Sequence, residues 1–336
     1  MRKLVFVLAL FAAPAASAHH SFSAVFDSGE VIEIEGKITR VVWANPHVRF
    51  SLQASGDNEN WYIESHSVSI LTRMQIGRDL LKPGDSVKLA GHPSRQPANE
   101  LFALNALLAN GEEVVFDPRG EPRWASQSVG SNKYWVAPES DGSKGGEGIF
   151  RVWSTVISDK GSFPLLPRIN SYPLTQPAKS TLASFDPLTD APTLNCAPKG
   201  MPTIMEQPYP MEFVEQDASI LLRLEEYDTI RTIHLDANTS VAEQPSSLLG
   251  YSVGYWEKET LVVSTTRVSW PHFDTVGIPL SEAVEITERF TPSEDGTRLN
   301  YRLRVTDAAT FTEPVDIEKY WLAVPNVSVQ PYKCTN

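Results

Sequence analysis

Two histidines, His19 and His20, stand side by side directly after Ala16-Ser17-Ala18, a small-x-small element of the kind a leader peptidase cuts. A chain cut after Ala18 begins on His19, whose free α-amino group and imidazole together offer two nitrogens to one metal ion. Cu(II) suits nitrogen ligands in a square-planar set, so copper is the expected cofactor. A further imidazole is needed to hold it. His47, in Asn45-Pro46-His47, is the leading candidate, with His66 and His92 behind it. The plainer reading leaves His19 and His20 at a frayed terminus and has His47 bond nearby backbone at a proline turn.

A second constellation lies in the last third of the chain. Along Ile220 to Glu226 successive side chains alternate between faces, so Ile220, Leu222, Leu224 and Glu226 share one, and Glu226 falls at the mouth of an apolar interior. On the following strand His234 and Asp236 share a face, with Arg231 and Ile233 on the other. Glu226, His234 and Asp236 are the candidate catalytic groups, since a desolvated carboxyl or imidazole is tuned for proton transfer near neutral pH. Arg231, Trp256, Trp270, His272 and Asp274 read as a binding set for an apolar small molecule with a polar head. The plainer reading pairs Arg231 with Glu225 or Glu226 as a surface ion pair and puts Trp256 in the core. GxSxG, P-loop, HExxH and strand-borne GxGxxG signatures are all missing from the sequence.

The elements that must position these groups are strands. Residues 31–115 alternate apolar and polar over short runs, with one helical stretch at Ser69 to Ile76 and a strong turn at Lys82-Pro83-Gly84-Asp85. Five or so strands with one short helix predict a small OB-like barrel over residues 19–116. Residues 117–200 are broken by proline and glycine and read as a connector packed on the domains, with a short helix through Lys179 to Phe185 and an ordered strand at Gly148 to Trp153. Residues 201–336 carry about eight strands, an antiparallel barrel or sandwich. The fold is therefore mainly β.

The address is written at the start. Arg2 and Lys3 precede an apolar run from Leu4 to Ala13, about ten residues and too short to span a bilayer, so residues 1–18 read as a cleaved signal peptide. The expectation is a periplasmic or secreted protein without membrane insertion. Cys196 and Cys334 are the only cysteines of the 336 residues, and in an oxidising compartment they are expected to form one disulfide. A formal charge of -12 argues against nucleic acid as a partner. No signal for an oligomeric state is present.

The start of the mature chain, Ala18-His19-His20-Ser21-Phe22-Ser23-Ala24-Val25-Phe26-Asp27, is followed by Gly36 to His47 with Trp43-Ala44-Asn45-Pro46-His47 and then by the Lys-Pro-Gly-Asp turn. In that order these resemble a family of bacterial exported domains of unknown function, DUF6152, over roughly residues 19–116. Residues Arg231 to Asp236, Leu249 to Trp256 and Glu288-Arg289-Phe290 resemble a recurring uncharacterised bacterial C-terminal domain. The resemblance implies a periplasmic or secreted β protein and no reaction. Three classes of function follow as expectations. One is an exported two-domain protein that binds a small apolar ligand and a metal at its N-terminus. A second is an acid–base hydrolase or isomerase in the C-terminal barrel. The third is a structural envelope protein that pairs through a sheet edge.

Overall fold

The alternation that begins at Val31 becomes a single long strand, β1 (Ile32–Val42), in a computed structural model that describes residues 22–56, 58–96, 98–131, 147–155, 172–191, 196–236, 240–324 and 327–335. The leader and the His19-His20 pair lie outside the described residues. Sequence reading splits β1 in two, and the reason is visible in the register, which shifts between Ile38 and Arg40 and breaks the alternation without ending the strand. Gly36 sits where β1 is paired on both sides, with Ala54 and with Val87. A Cβ there would stand 2.2 Å from the Gln53 carbonyl oxygen, so only glycine allows the strand this close approach.

β1 pairs antiparallel with β2 (Arg49–Ala54) and β4 (Ser86–Pro93), β2 with β3 (Asn60–Glu64), and β4 with β5 (Glu100–Leu108). A parallel pairing of β3 with β5 closes the ring of five, the OB-like barrel. The short α1 (Phe22–Val25) precedes it, and α2 (Val68–Arg73) joins β3 to β4. Ser67 caps α2, its Oγ accepting the Ile70 N–H at 3.3 Å. Ile70 and Leu71 then bury into a core shared with Leu52, Ile63, Leu89 and Leu101. Two further strands, β6 (Glu113–Val115) and β7 (Ser128–Gly130), extend the sheet beyond β5. Glu113 organises the loop between them. Burial pushes its carboxyl upward, but N–H donors from Arg123, Trp124 and Ala125 and the Asn105 amide outweigh burial and hold it below its ordinary range.

The second unit is a closed barrel of nine strands. Eight are those the alternation predicts: β9 (Met211–Gln216), β10 (Ser219–Leu224), β11 (Thr229–His234), β12 (Tyr251–Glu257), β13 (Thr260–Thr266), β14 (Glu285–Pro292), β15 (Arg298–Thr306) and β16 (Val315–Ala323). The ninth, β8 (Val152–Ser154), comes from the proline-rich connector and closes the ring between β16 and β9. Its Trp153 is fully buried and donates Nε1–H to the Ile149 carbonyl at 2.8 Å, which satisfies the indole inside the core. β11 and β12 pair parallel, so the chain between them crosses over instead of turning back, and the meander is interrupted once. The connector also supplies α3 (Gln176–Ser184), capped by Thr175, three residues earlier than its sequence start at Lys179 suggests.

The two barrels meet through the C-terminal tail, residues 327–335. Asn45 Nδ2 donates to the Tyr332 carbonyl at 2.6 Å, and the Asn45 carbonyl accepts the Thr335 N–H at 2.8 Å. Arg49 Nη2 donates to the Thr335 carbonyl at 3.1 Å. Arg73 at the end of α2 reaches Ser154 Oγ on β8 at 2.6 Å. Cys334 is bonded to Cys196, with Cα atoms 5.9 Å apart. None of the helices among the described residues is long and apolar enough to cross a membrane.

Candidate functional site

Two histidines of the first barrel, His66 and His92, stand beside one phenylalanine. Phe102, on β5, is bordered by Phe22 at 4.9 Å, Phe26 at 5.6 Å and His66 at 5.1 Å between ring centroids, and Phe22 lies edge-on to His92 at 5.8 Å. His92 and Phe102 are themselves cross-strand partners of β4 and β5. His92 Nδ1 stands 2.6 Å from the Glu30 carbonyl oxygen, and His47 Nδ1 stands 2.9 Å from the Ser65 carbonyl and 3.2 Å from Glu64 Oε1. A carbonyl oxygen only accepts, so in both rings Nδ1 carries the proton and the neutral ring keeps its lone pair on Nε2. This is the outer hydrogen bond that orients metal-ligating imidazoles. Burial pushes His66 down to about 4, with Asp117 opposing the shift and His47 and Arg119 adding to it, so His66 is a neutral ring at physiological pH. Among the described residues no three His, Cys, Asp or Glu side chains come together as a ready metal cage.

The second constellation is not brought together. Glu226 lies in the tight turn between β10 and β11, and it is buried, with Lys199 Nζ 2.7 Å from Oε1. His234 ends β11, so the two stand at opposite ends of a strand roughly 16 Å long. Ile220, Leu222 and Leu224 do face inward as their spacing predicts, and so do Arg231 and Ile233. His234 faces outward, stacked on Tyr251 at 4.5 Å, and Asp236 is exposed beyond it. Around Glu226 the structure gathers what spacing does not show: Tyr209, Tyr227 and Tyr332, the last two with rings 5.1 Å apart. Burial pushes all three phenols above their ordinary range, and the Glu226 charge adds to it.

The five residues read as a ligand set also separate. Arg231 is 1% exposed inside the barrel, which overturns its reading as half of a surface pair with Glu225 or Glu226. Its guanidinium binds both carboxylate oxygens of Glu288, with Nη1 to Oε1 at 3.0 Å, and also reaches Ser252 Oγ at 3.0 Å and Thr265 Oγ1 at 2.7 Å. Tyr301 donates its hydroxyl to Glu288 Oε1 at 2.8 Å. Trp256 lies on the outer face beside the β12–β13 hairpin, 40% exposed, where sequence reading offers a core position as the plainer alternative. Trp270 and His272 do meet, on the loop after β13 that also carries Asp274. Trp270 Nε1 donates to Thr203 Oγ1 at 2.8 Å and its ring meets His272 at 5.4 Å. Asp274 Oδ1 accepts the N–H groups of Val276 and Ile278, which folds the loop, and burial pushes its carboxyl upward.

Glu288, Tyr301 and Lys319 escape sequence reading, although each sits between two inward apolar residues two positions away, as in Ile286-Thr287-Glu288-Arg289-Phe290. Lys319 points into the lumen, donates to the Met205 carbonyl and is pushed down to about 8 by burial, with Glu206 opposing. The cavity beside it, lined by Met205, Glu206, Tyr301 and Lys319 among others, holds about 10 Å³, room for one water.

Fold and site together define a two-unit β protein: a five-stranded OB-like barrel with His66 and His92 beside Phe102, tied by its partner's tail to a nine-stranded barrel with a charged, filled lumen. Residues 7–101 match the model of DUF6152, a family of unknown function, and the match ends inside β5. No curated protein matches the chain.

Proposed function

We propose that this is an exported metal-binding protein whose site is completed by its own processed N-terminus. The observation that carries the reading is the seat of Phe22. Its ring packs on Phe102 and lies edge-on to His92, and Phe102 in turn borders His66, so the chain enters the first barrel beside one imidazole and one ring away from another. His20 and His19 are two and three residues upstream and, at about 3.5 Å per residue, within reach of them. His47 and His92 have the tautomer a metal needs, fixed through Nδ1. An amine and imidazole from His19 with one or two of these rings make the nitrogen set that suits Cu(II). The Cys196–Cys334 disulfide and the leader-like start support export.

The lumen is the weaker place for a function. Arg231 and Glu288 satisfy each other, Lys319 donates to the Met205 carbonyl, and the cavity beside it takes no more than a water. Glu226, buried with one oxygen that accepts no hydrogen bond among the described residues, supports acid–base chemistry, but without His234 or Asp236 beside it.

Calorimetric titration of Cu(II) into chain beginning at His19 tests the metal reading. Acetylation of the His19 α-amine is expected to weaken binding at least tenfold, because it turns the terminal amine into an amide. Equal affinity in the two forms overturns the proposal.

A further inference from the structure

Four strands of the first barrel each bring one residue into a transverse row. Arg40 on β1 is paired with Ser51 on β2, Ser51 with Tyr62 on β3, and Tyr62 with Glu100 on β5. Cross-strand partners project from the same face of a sheet. Ile63, next to Tyr62, is fully buried, so the row faces outward. It floors an open groove of about 550 Å³, to which Trp61 and, from the β4–β5 loop, Asn99 also contribute.

We propose that this groove binds a neutral oligosaccharide. The side chains that face outward on it are a phenol, a guanidinium, a carboxylate and the amides of Asn60 and Asn99, while the Trp61 indole beside Tyr62 packs on the core. Flat aromatic groups match the C–H faces of a pyranose, and planar polar groups match pairs of adjacent hydroxyls. One cation, Arg40, and one anion, Glu100, balance, so the groove has no field to hold a polyanion, and the chain as a whole carries a formal charge of -12. OB barrels use the face of their second and third strands and the β4–β5 loop for oligosaccharides and oligonucleotides alike. Charge separates those two classes here. The inference stands apart from the metal reading, because no residue of the row is among the proposed ligands.

The test is calorimetric titration of the full processed chain, kept metal-free with a chelator, with cellohexaose, chitohexaose and maltohexaose, and with hexagalacturonate and a single-stranded DNA hexamer as polyanions. At least one neutral hexasaccharide is expected to bind. Arg40→Ala is expected to weaken it at least tenfold and Tyr62→Phe severalfold, while Arg304→Ala, on the outside of the other barrel, leaves it unchanged. Arg40 is exposed, so its removal leaves the fold intact. The proposal is overturned if no neutral hexasaccharide binds at millimolar concentration, if Arg40→Ala binds as tightly as the parent, or if a polyanion binds more tightly than every neutral sugar.

Discussion

Arg231 and Glu288 are opposite charges held inside the second barrel, and each depends on the other for its solvation. The Glu288 carboxylate takes two guanidinium contacts and the Tyr301 hydroxyl, while Arg231 spreads its remaining donors over Ser252 and Thr265. Removing one partner leaves a buried charge without a counterion, so Glu288→Ala is expected to cost about 3–5 kcal/mol in urea unfolding followed by tryptophan fluorescence. The double variant Arg231→Met with Glu288→Leu is expected to cost clearly less than the sum of the single changes, because it removes both charges. A loss under about 1 kcal/mol for Glu288→Ala would show that water reaches the pair. The inward face of Arg231 is legible from its place between Thr229 and Ile233. Its partner is not, because Glu288 stands 57 residues away and only barrel closure decides which inward residues meet.

At the scale of elements, alternation marks nearly every strand, since a half-buried strand must expose and bury residues in turn. Three features escape it for separate reasons. The first is the extent of β8, where the sequence marks an ordered strand over Gly148 to Trp153 but the strand is Val152–Ser154, too short for a period to fix its bounds. β1 carries an irregularity after Ile38 that resembles a strand end. The parallel pairing of β11 with β12 depends on the path of residues 235–250, which no local pattern records. The Asn45-Pro46-His47 segment shows how a motif can be read for one residue and built around another. Sequence attention falls on His47, yet Asn45 is the buried tie, accepting the Val68 N–H at 3.0 Å through Oδ1 and donating to Tyr332 in the tail. Asn45→Ala leaves both groups without this partner and is expected to cost about 2 kcal/mol or more. Hydrogen exchange separates the two roles. Asn45→Asp keeps the acceptor for Val68 and loses the donor to Tyr332, so the Thr335 amide is expected to exchange faster while Val68 stays protected. Unchanged exchange at Thr335 would mean that the tail is held without Asn45.

For the whole molecule the question is what makes two barrels one body. The tail from residue 327 to 335 answers to both: Tyr332 donates its N–H to Asp228 in the second barrel at 3.0 Å and gives its carbonyl to Asn45 in the first. The disulfide fixes that tail from a position 138 residues away. In the chain-entropy model so long a loop is worth about 4–5 kcal/mol, nearly all of it to the unit the loop encloses, which is the second barrel with all its strands from β9 to β16. The first barrel closes through β3 and β5 without the tail and stands to lose only the Asn45 and Arg49 contacts. Reduction, or the pair Cys196→Ser with Cys334→Ser, is therefore expected to act unevenly. In scanning calorimetry the transition of the second barrel should fall on the order of 10 °C, at about 2–4 °C per kcal/mol for a unit of this size, and the first barrel's should fall far less. The two transitions then separate where the oxidised chain shows them close together. A parallel fall of both would mean that each barrel needs the other to fold, and no change in either would mean that the tail stays seated by its hydrogen bonds alone.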